Sequence, residues 1–203
     1  MAEFDDLLET LKKAAASLRE AEVPFLLGGG LAAWARGGPE TEHDLDLMVR
    51  RGDAQGAVEA LAGAGFRIGN PPEEWLYKAW NGDILVDVIF EPSGGPVDDA
   101  MFERAEELDV QAVTMTVMAL EDVMATKLLS LREHEVDYES VLEIARALRE
   151  QIEWNEVWRR TSGSPYARAF FFLAEELGIL EGRRASPGES GSSRVPSGSA
   201  RES

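Results

Sequence analysis

Phe25-Leu26-Leu27-Gly28-Gly29-Gly30, followed after a short segment by Asp44-Leu45-Asp46-Leu47-Met48-Val49, is the stretch that decides the fold. An apolar run ends in glycines, and a second apolar run carries two alternating carboxylates. Side chains alternate faces along a strand, so Asp44 and Asp46 project from one side while Leu45 and Leu47 point into a core. Two acids this close repel each other unless positive charge sits between them, and a divalent cation supplies it. Asp87, inside the apolar run Ile84-Leu85-Val86-Asp87-Val88-Ile89-Phe90, adds a third acid. That run reads as a central strand buried on both faces. Burying an unpaired charge there costs several kcal/mol, on the order of the penalties known for desolvated ions, so the acid needs a functional reason.

The surrounding chain reads as a mixed α and β domain with a helical extension. Phe4, Leu7, Leu8, Leu11, Ala15 and Leu18 recur at helical spacing over about residues 3–21, an amphipathic helix that covers a sheet. Pro24 interrupts it, 25–28 forms a short buried strand, and a helix follows at about 30–36 until Gly37-Gly38-Pro39. The second strand spans about 44–50, and a helix runs from Gly52-Asp53 to about Ala64. Phe66-Arg67-Ile68 and Trp75 to Trp80 read as strands around an Asn70-Pro71-Pro72 loop. Asn81-Gly82-Asp83 is a hairpin signal leading into 84–90. A short acidic helix at 98–106 and one edge strand from Leu108 to Met115 complete this half. From Leu120 the pattern is helical: 120–133, 138–151, 154–161 and 165–178. The expected organisation is a core at 1–118, a helical region at 119–181 and a disordered Ser-, Gly- and Pro-rich tail at 182–203.

Composition narrows the function. The chain has 203 residues, 44% of them hydrophobic, and no apolar run near the ~20 residues of a membrane span. The start, Met1-Ala2-Glu3-Phe4-Asp5-Asp6, is acidic where a signal peptide is basic. Cysteine is absent and histidine is limited to His43 and His134, which argues against thiolate or multi-histidine metal sites. The reading is a soluble, cytoplasmic protein. Its net charge of −18 opposes a nucleic-acid backbone, and basic residues are scattered with short pairs such as Arg159-Arg160 and Arg183-Arg184. DNA is therefore disfavoured, and the expected substrate is a nucleotide, a small molecule or a protein, with tRNA left open.

Gly29-Gly30, thirteen further residues, then Asp44-Leu45-Asp46-Leu47 resembles the hydrophobic-Gly-Gly/Ser…Asp-h-Asp-h signature of the nucleotidyltransferase superfamily, the polymerase β-like fold. Asp87 falls where that superfamily places its third acid. The resemblance covers about residues 22–92. It extends more loosely to Glu121-Asp122-Val123-Met124-Ala125-Thr126-Lys127-Leu128-Leu129, then Arg132 and Asp137, as in small bacterial relatives of toxin–antitoxin and abortive-infection systems. The chain departs from the pattern at Glu40, where many relatives carry Arg before the Thr, at Gly30 in place of Ser, and at Ser140 where a second Asp is frequent.

The resemblance implies an α+β nucleotidyltransferase core that moves a nucleoside monophosphate from an NTP, ATP included, to a hydroxyl of RNA, protein or a small molecule. It assigns two Mg2+ ions, with Mn2+ as a substitute, to Asp44, Asp46 and Asp87. Asp87 helps take the hydroxyl proton, and Gly29 and Gly30 cradle the triphosphate. Lys127 either reaches that triphosphate or snorkels to water. Two other readings stand beside this one. The chain is a weak or inactive nucleotide-binding or antitoxin-type module that holds a partner protein through its helical region, or a plain α/β protein whose acids face solvent. Trp34 and Phe170-Phe171-Phe172 read as core, and His43 as a spacer at a strand entrance.

Overall fold

The computed structural model describes residues 2–41, 44–69 and 74–181. His43, the 70–72 loop and the 182–203 tail of the preceding section lie outside the described residues. Helix α1 (Ala2–Glu20) precedes β1 (Leu26–Leu27), α2 (Gly29–Trp34) and β2 (Leu45–Met48). Then come α3 (Ala54–Gly63), β3 (Arg67–Gly69), β4 (Leu76–Asn81), β5 (Ile84–Ile89) and α4 (Asp99–Arg104). A pair of strands, β6 (Glu106–Val110) and β7 (Val113–Val117), leads into α5 (Leu120–Ser130), α6 (Glu139–Leu148), α7 (Trp154–Thr161) and α8 (Pro165–Glu176).

The strands form one mixed sheet in the order β3-β4-β5-β2-β1-β7-β6. β2 and β5 run parallel at its centre, β1 lies antiparallel to β2, and β7 lies parallel to β1. Leu45, Leu47, Val86 and Val88 share one face of the central strands and are fully buried, together with Leu7, Leu11 and Leu18 of α1 and Leu61 of α3. The apolar stripe of α1 thus covers the sheet as its helical spacing predicts. The other face of β2 and β5 carries Asp46 and Asp87, which leaves the acids on the side opposite the α1/α3 layer.

A second apolar cluster joins α5–α8 and includes Phe170, Phe171, Leu128, Leu148 and Val157, with Ala33 of α2 at its border. Rings build its centre: Trp158 meets Phe171 edge-on at 5.1 Å, and Phe170 meets Phe171 at 5.5 Å. Phe172 departs from the expected core assignment. The 100° step between successive helical residues turns it away from Phe170 and Phe171, and it is 66% exposed.

The sequence-based edge strand at 108–115 is instead a hairpin. β6 and β7 pair antiparallel from Glu106↔Val117 to Val110↔Val113, hinged on Gln111 and Ala112 with φ of 51° and 63°. Such a mirror-image turn normally signals itself through Asn or Gly, and neither residue is present. By contrast Gly82, at φ 63°, closes the β4–β5 hairpin where the Asn-Gly-Asp signal places it.

Candidate active site

Backbone pairing builds the site. Leu26 and Leu27 register with Met48 and Leu47, and the Gly28 N–H donates to the Asp46 carbonyl at 2.9 Å. The glycine turn is thereby held beside Asp46. On the other side of β2, the parallel register sets Asp46 directly opposite Asp87. Asp87 is 8% exposed, Asp46 is half-buried, and Asp44 stands exposed just before β2. The structure therefore brings Asp46 and Asp87 together and leaves Asp44 at the rim. Among the described residues, no three Asp, Glu or His side chains are already gathered as a closed metal site.

Burial, more than the neighbouring acids, sets the charge state of Asp46. Burial pushes the Asp46 carboxyl up to about 7; Asp87 and Asp44 push the same way, while Lys127 and Lys78 pull it back. A desolvated carboxylate paired with a second acid is a donor set that a hard divalent cation satisfies. The oxygen-only chemistry suits Mg2+ or Mn2+ rather than zinc.

Gly29 explains the glycine requirement. Its φ is +56°, and a Cβ there would lie 1.7 Å from Asp46 Oδ2, so only a bare backbone allows the carboxylate to rest against it. Gly30 has a similar constraint from another side, because its Cβ would meet Thr41 Oγ1 at 2.8 Å. Both glycines begin α2, whose Gly28 N-cap makes no side-chain capping bond. First-turn N–H groups of a helix lack intrahelical acceptors, which makes them donors available to phosphate oxygens.

Two lysines complete the floor. Lys78 is the β4 register partner of Asp87, and its Nζ lies 3.6 Å from Asp87 Oδ1. Lys127, on α5, acts on the Asp46 carboxyl from the helical half. Between the halves opens a cavity of about 1320 Å3 lined by Asp6 and Glu9 of α1, Glu40, Asp44, Asp46, Asp83, and Asp137, Glu139 and Glu143 around the start of α6. Among the described lining residues Lys127 alone is basic.

Sequence reasoning named Asp44, Asp46, Asp87, Gly29, Gly30 and Lys127, and it missed two features. Lys78 gave no local signal, since its role depends on the β4–β5 register. The acidic wall was visible as Asp6 and Glu9 at i, i+3 on α1 and as Glu139 and Glu143 at i, i+4 on α6. A purely solvated face carries the same pattern.

A model of the aminoglycoside-2''-adenylyltransferase family matches residues 10–85, which include Gly28–Gly30, Asp44 and Asp46. The crystal structure of ANT(2'')-Ia in complex with adenylyl-2''-tobramycin superposes with a TM-score of 0.60 at 15% identity, covering 81% of this chain and 98% of that one. The solution structure of the antibiotic-resistance factor ANT(2'')-Ia gives 0.61 at 16% identity, covering 84% and 96%. Lincomycin-bound lincosamide antibiotic adenylyltransferase LnuA gives 0.51 at 13% identity, covering 71% and 97%. No curated protein matches the chain by sequence.

Proposed function

We propose that this chain, whose fold is that of the nucleotidyltransferase superfamily, transfers the adenylyl group of ATP to a hydroxyl of a cationic small molecule. The observation that carries the reading is Asp46, which rests against Gly29 on the wall of an acidic cavity and is the register partner of Asp87.

Asp44, Asp46 and Asp87 are the residues suited to hold Mg2+, which when bound neutralises phosphate charge and lowers the pKa of an acceptor hydroxyl. Gly29 and Gly30 present backbone N–H groups to the triphosphate, and the open start of α2 adds its partial positive charge. Lys127 lines the same cavity from α5 and supplies its ammonium to the phosphates. Asp87, seated beside Asp46, accepts the proton of the acceptor hydroxyl. The acceptor oxygen then bonds to the α-phosphorus, the bond to the β-phosphate bridge breaks, and pyrophosphate leaves.

The acceptor class follows from charge. The carboxylates on the cavity wall attract amines and repel phosphodiesters, and the net charge of −18 reinforces both effects. The same field disfavours RNA as acceptor. Two related folds were determined with antibiotics or their adenylylated product, which supports a small-molecule acceptor.

An acceptor panel tests this reading: tobramycin, lincomycin and a short RNA, each incubated with ATP and Mg2+ and analysed by mass spectrometry. We expect adenylylation of the polyamino sugar and none of the RNA. Adenylylated RNA with an untouched sugar would replace the small-molecule acceptor by a polynucleotide.

A further inference from the structure

The Glu121-Asp122 pair has no part in the chemistry above, yet it is bonded to two other helices, α4 and α7. Asp122 lies in the first turn of α5 and is fully buried. Arg104, in the last turn of α4, grips it through two bonds: Nε donates to Oδ2 at 3.0 Å and a terminal nitrogen to Oδ1 at 2.9 Å. Arg160, in the last turn of α7, reaches the same Oδ1 at 2.7 Å. At the other end of α7, Glu121 Oε1 accepts the backbone N–H of Glu153 at 2.8 Å. The first turn of α5 therefore holds α7 at both ends and ties to α4 on the sheet side.

We propose that Asp122 is a positioning residue for Lys127. Both belong to α5, five residues apart, so anything that fixes the first turn of the helix fixes the azimuth and height of the lysine. Arg–carboxylate forks have defined geometry, and a second arginine from another element leaves α5 neither rotation nor axial slip. The consequence is an ammonium fixed on the wall of the cavity that Asp46 also lines. The inference rests on the nucleotidyl-transfer reading for its importance, because that reading gives Lys127 its phosphate, but its test is independent of activity.

The chain has only four lysines, Lys12, Lys13, Lys78 and Lys127, so reductive methylation with 13C-formaldehyde gives few ε-methyl resonances. Lys127→Arg identifies its own signal by disappearance. In the wild-type background, Asp46→Asn is expected to shift the Lys127 resonance, because the charge opposite it is lost. In an Asp122→Asn background the same substitution is expected to leave the Lys127 resonance where it is, near that of exposed lysines. Arg160→Gln provides a milder variant at a half-buried site should Asp122→Asn fail to fold, and it is expected to reduce the Asp46-dependent shift. An equal Asp46-dependent shift with and without the clamp overturns the proposal. Adenylyl transfer is measured separately: an inactive wild-type protein that still shows the clamp-dependent shift refutes the reaction and leaves the positioning role standing.

Discussion

Asp46 and Asp87 are register partners across two parallel strands at the centre of the sheet, and the Lys78 ammonium approaches Asp87 from the third strand. Parallel pairing of two buried strands normally juxtaposes aliphatic side chains. Here it sets two carboxylates side by side where aliphatic side chains would otherwise stand. Asp87→Asn keeps the shape and removes the proton acceptor. Steady-state assays are expected to show kcat reduced by ~10²–10⁴-fold. Retention of wild-type kcat would remove Asp87 from the reaction.

Asp46 gives a pH signature in the metal-free protein. Burial and the neighbouring acids hold its carboxyl up to about 7 in the folded chain, against about 3.9 for an unfolded aspartate. Between these values the folded state binds more protons than the unfolded one, so stability falls as pH rises through that window and stays low above it. Asp46→Asn lacks this loss. Thermal melts in EDTA should therefore show the variant more stable than wild type at pH 8, with the two converging near pH 4. A wild type that outlasts the variant at pH 8 would mean that Asp46 is stabilised by its neighbours.

Gly29 and Gly178 make a matched pair for separating strain from function. Their φ values are +56° and +65°, but a Cβ at Gly29 strikes Asp46 whereas one at Gly178 meets nothing within 4 Å. Both alanine variants incur the left-handed backbone penalty of roughly 1–2 kcal/mol. Only Gly29→Ala should displace the Asp46 carboxylate and abolish transfer. Equal activity of the two variants would show that the close approach is dispensable.

Truncating the buried carboxylate of α5 tests its energetic weight. Asp122→Ala leaves Arg104 and Arg160 without their shared partner, and removal of one member of a buried ionic cluster costs about 3–5 kcal/mol. Urea unfolding should show this as a lower midpoint. An unchanged midpoint would place the cluster in effective contact with water.

Much of this architecture was legible because the informative residues are local. The glycine turn, the Asp44-Leu45-Asp46-Leu47 alternation and the lone Asp87 in an aliphatic run each announce themselves within one element, and pairing merely assembled them. The β6–β7 hairpin was hidden because Gln111 and Ala112 occupy a turn whose usual residues are absent. Lys78 was hidden because only register places it opposite Asp87. Asp122 was seen as part of a motif, but its partners come from α4 and α7, far away in the chain, and no spacing rule connects them. Phe172 was misjudged because three consecutive aromatics on a helix cannot all face one way.

The most direct test of the account follows the phosphates. Purified protein is incubated with tobramycin, Mg2+ and ATP labelled at either the α- or the γ-phosphate, beside the Asp46→Asn/Asp87→Asn double variant. The account predicts that α-label moves to the sugar, γ-label leaves in pyrophosphate, and the double variant does neither. Appearance of γ-label on the sugar, or α-label transfer that persists in the double variant, would contradict it.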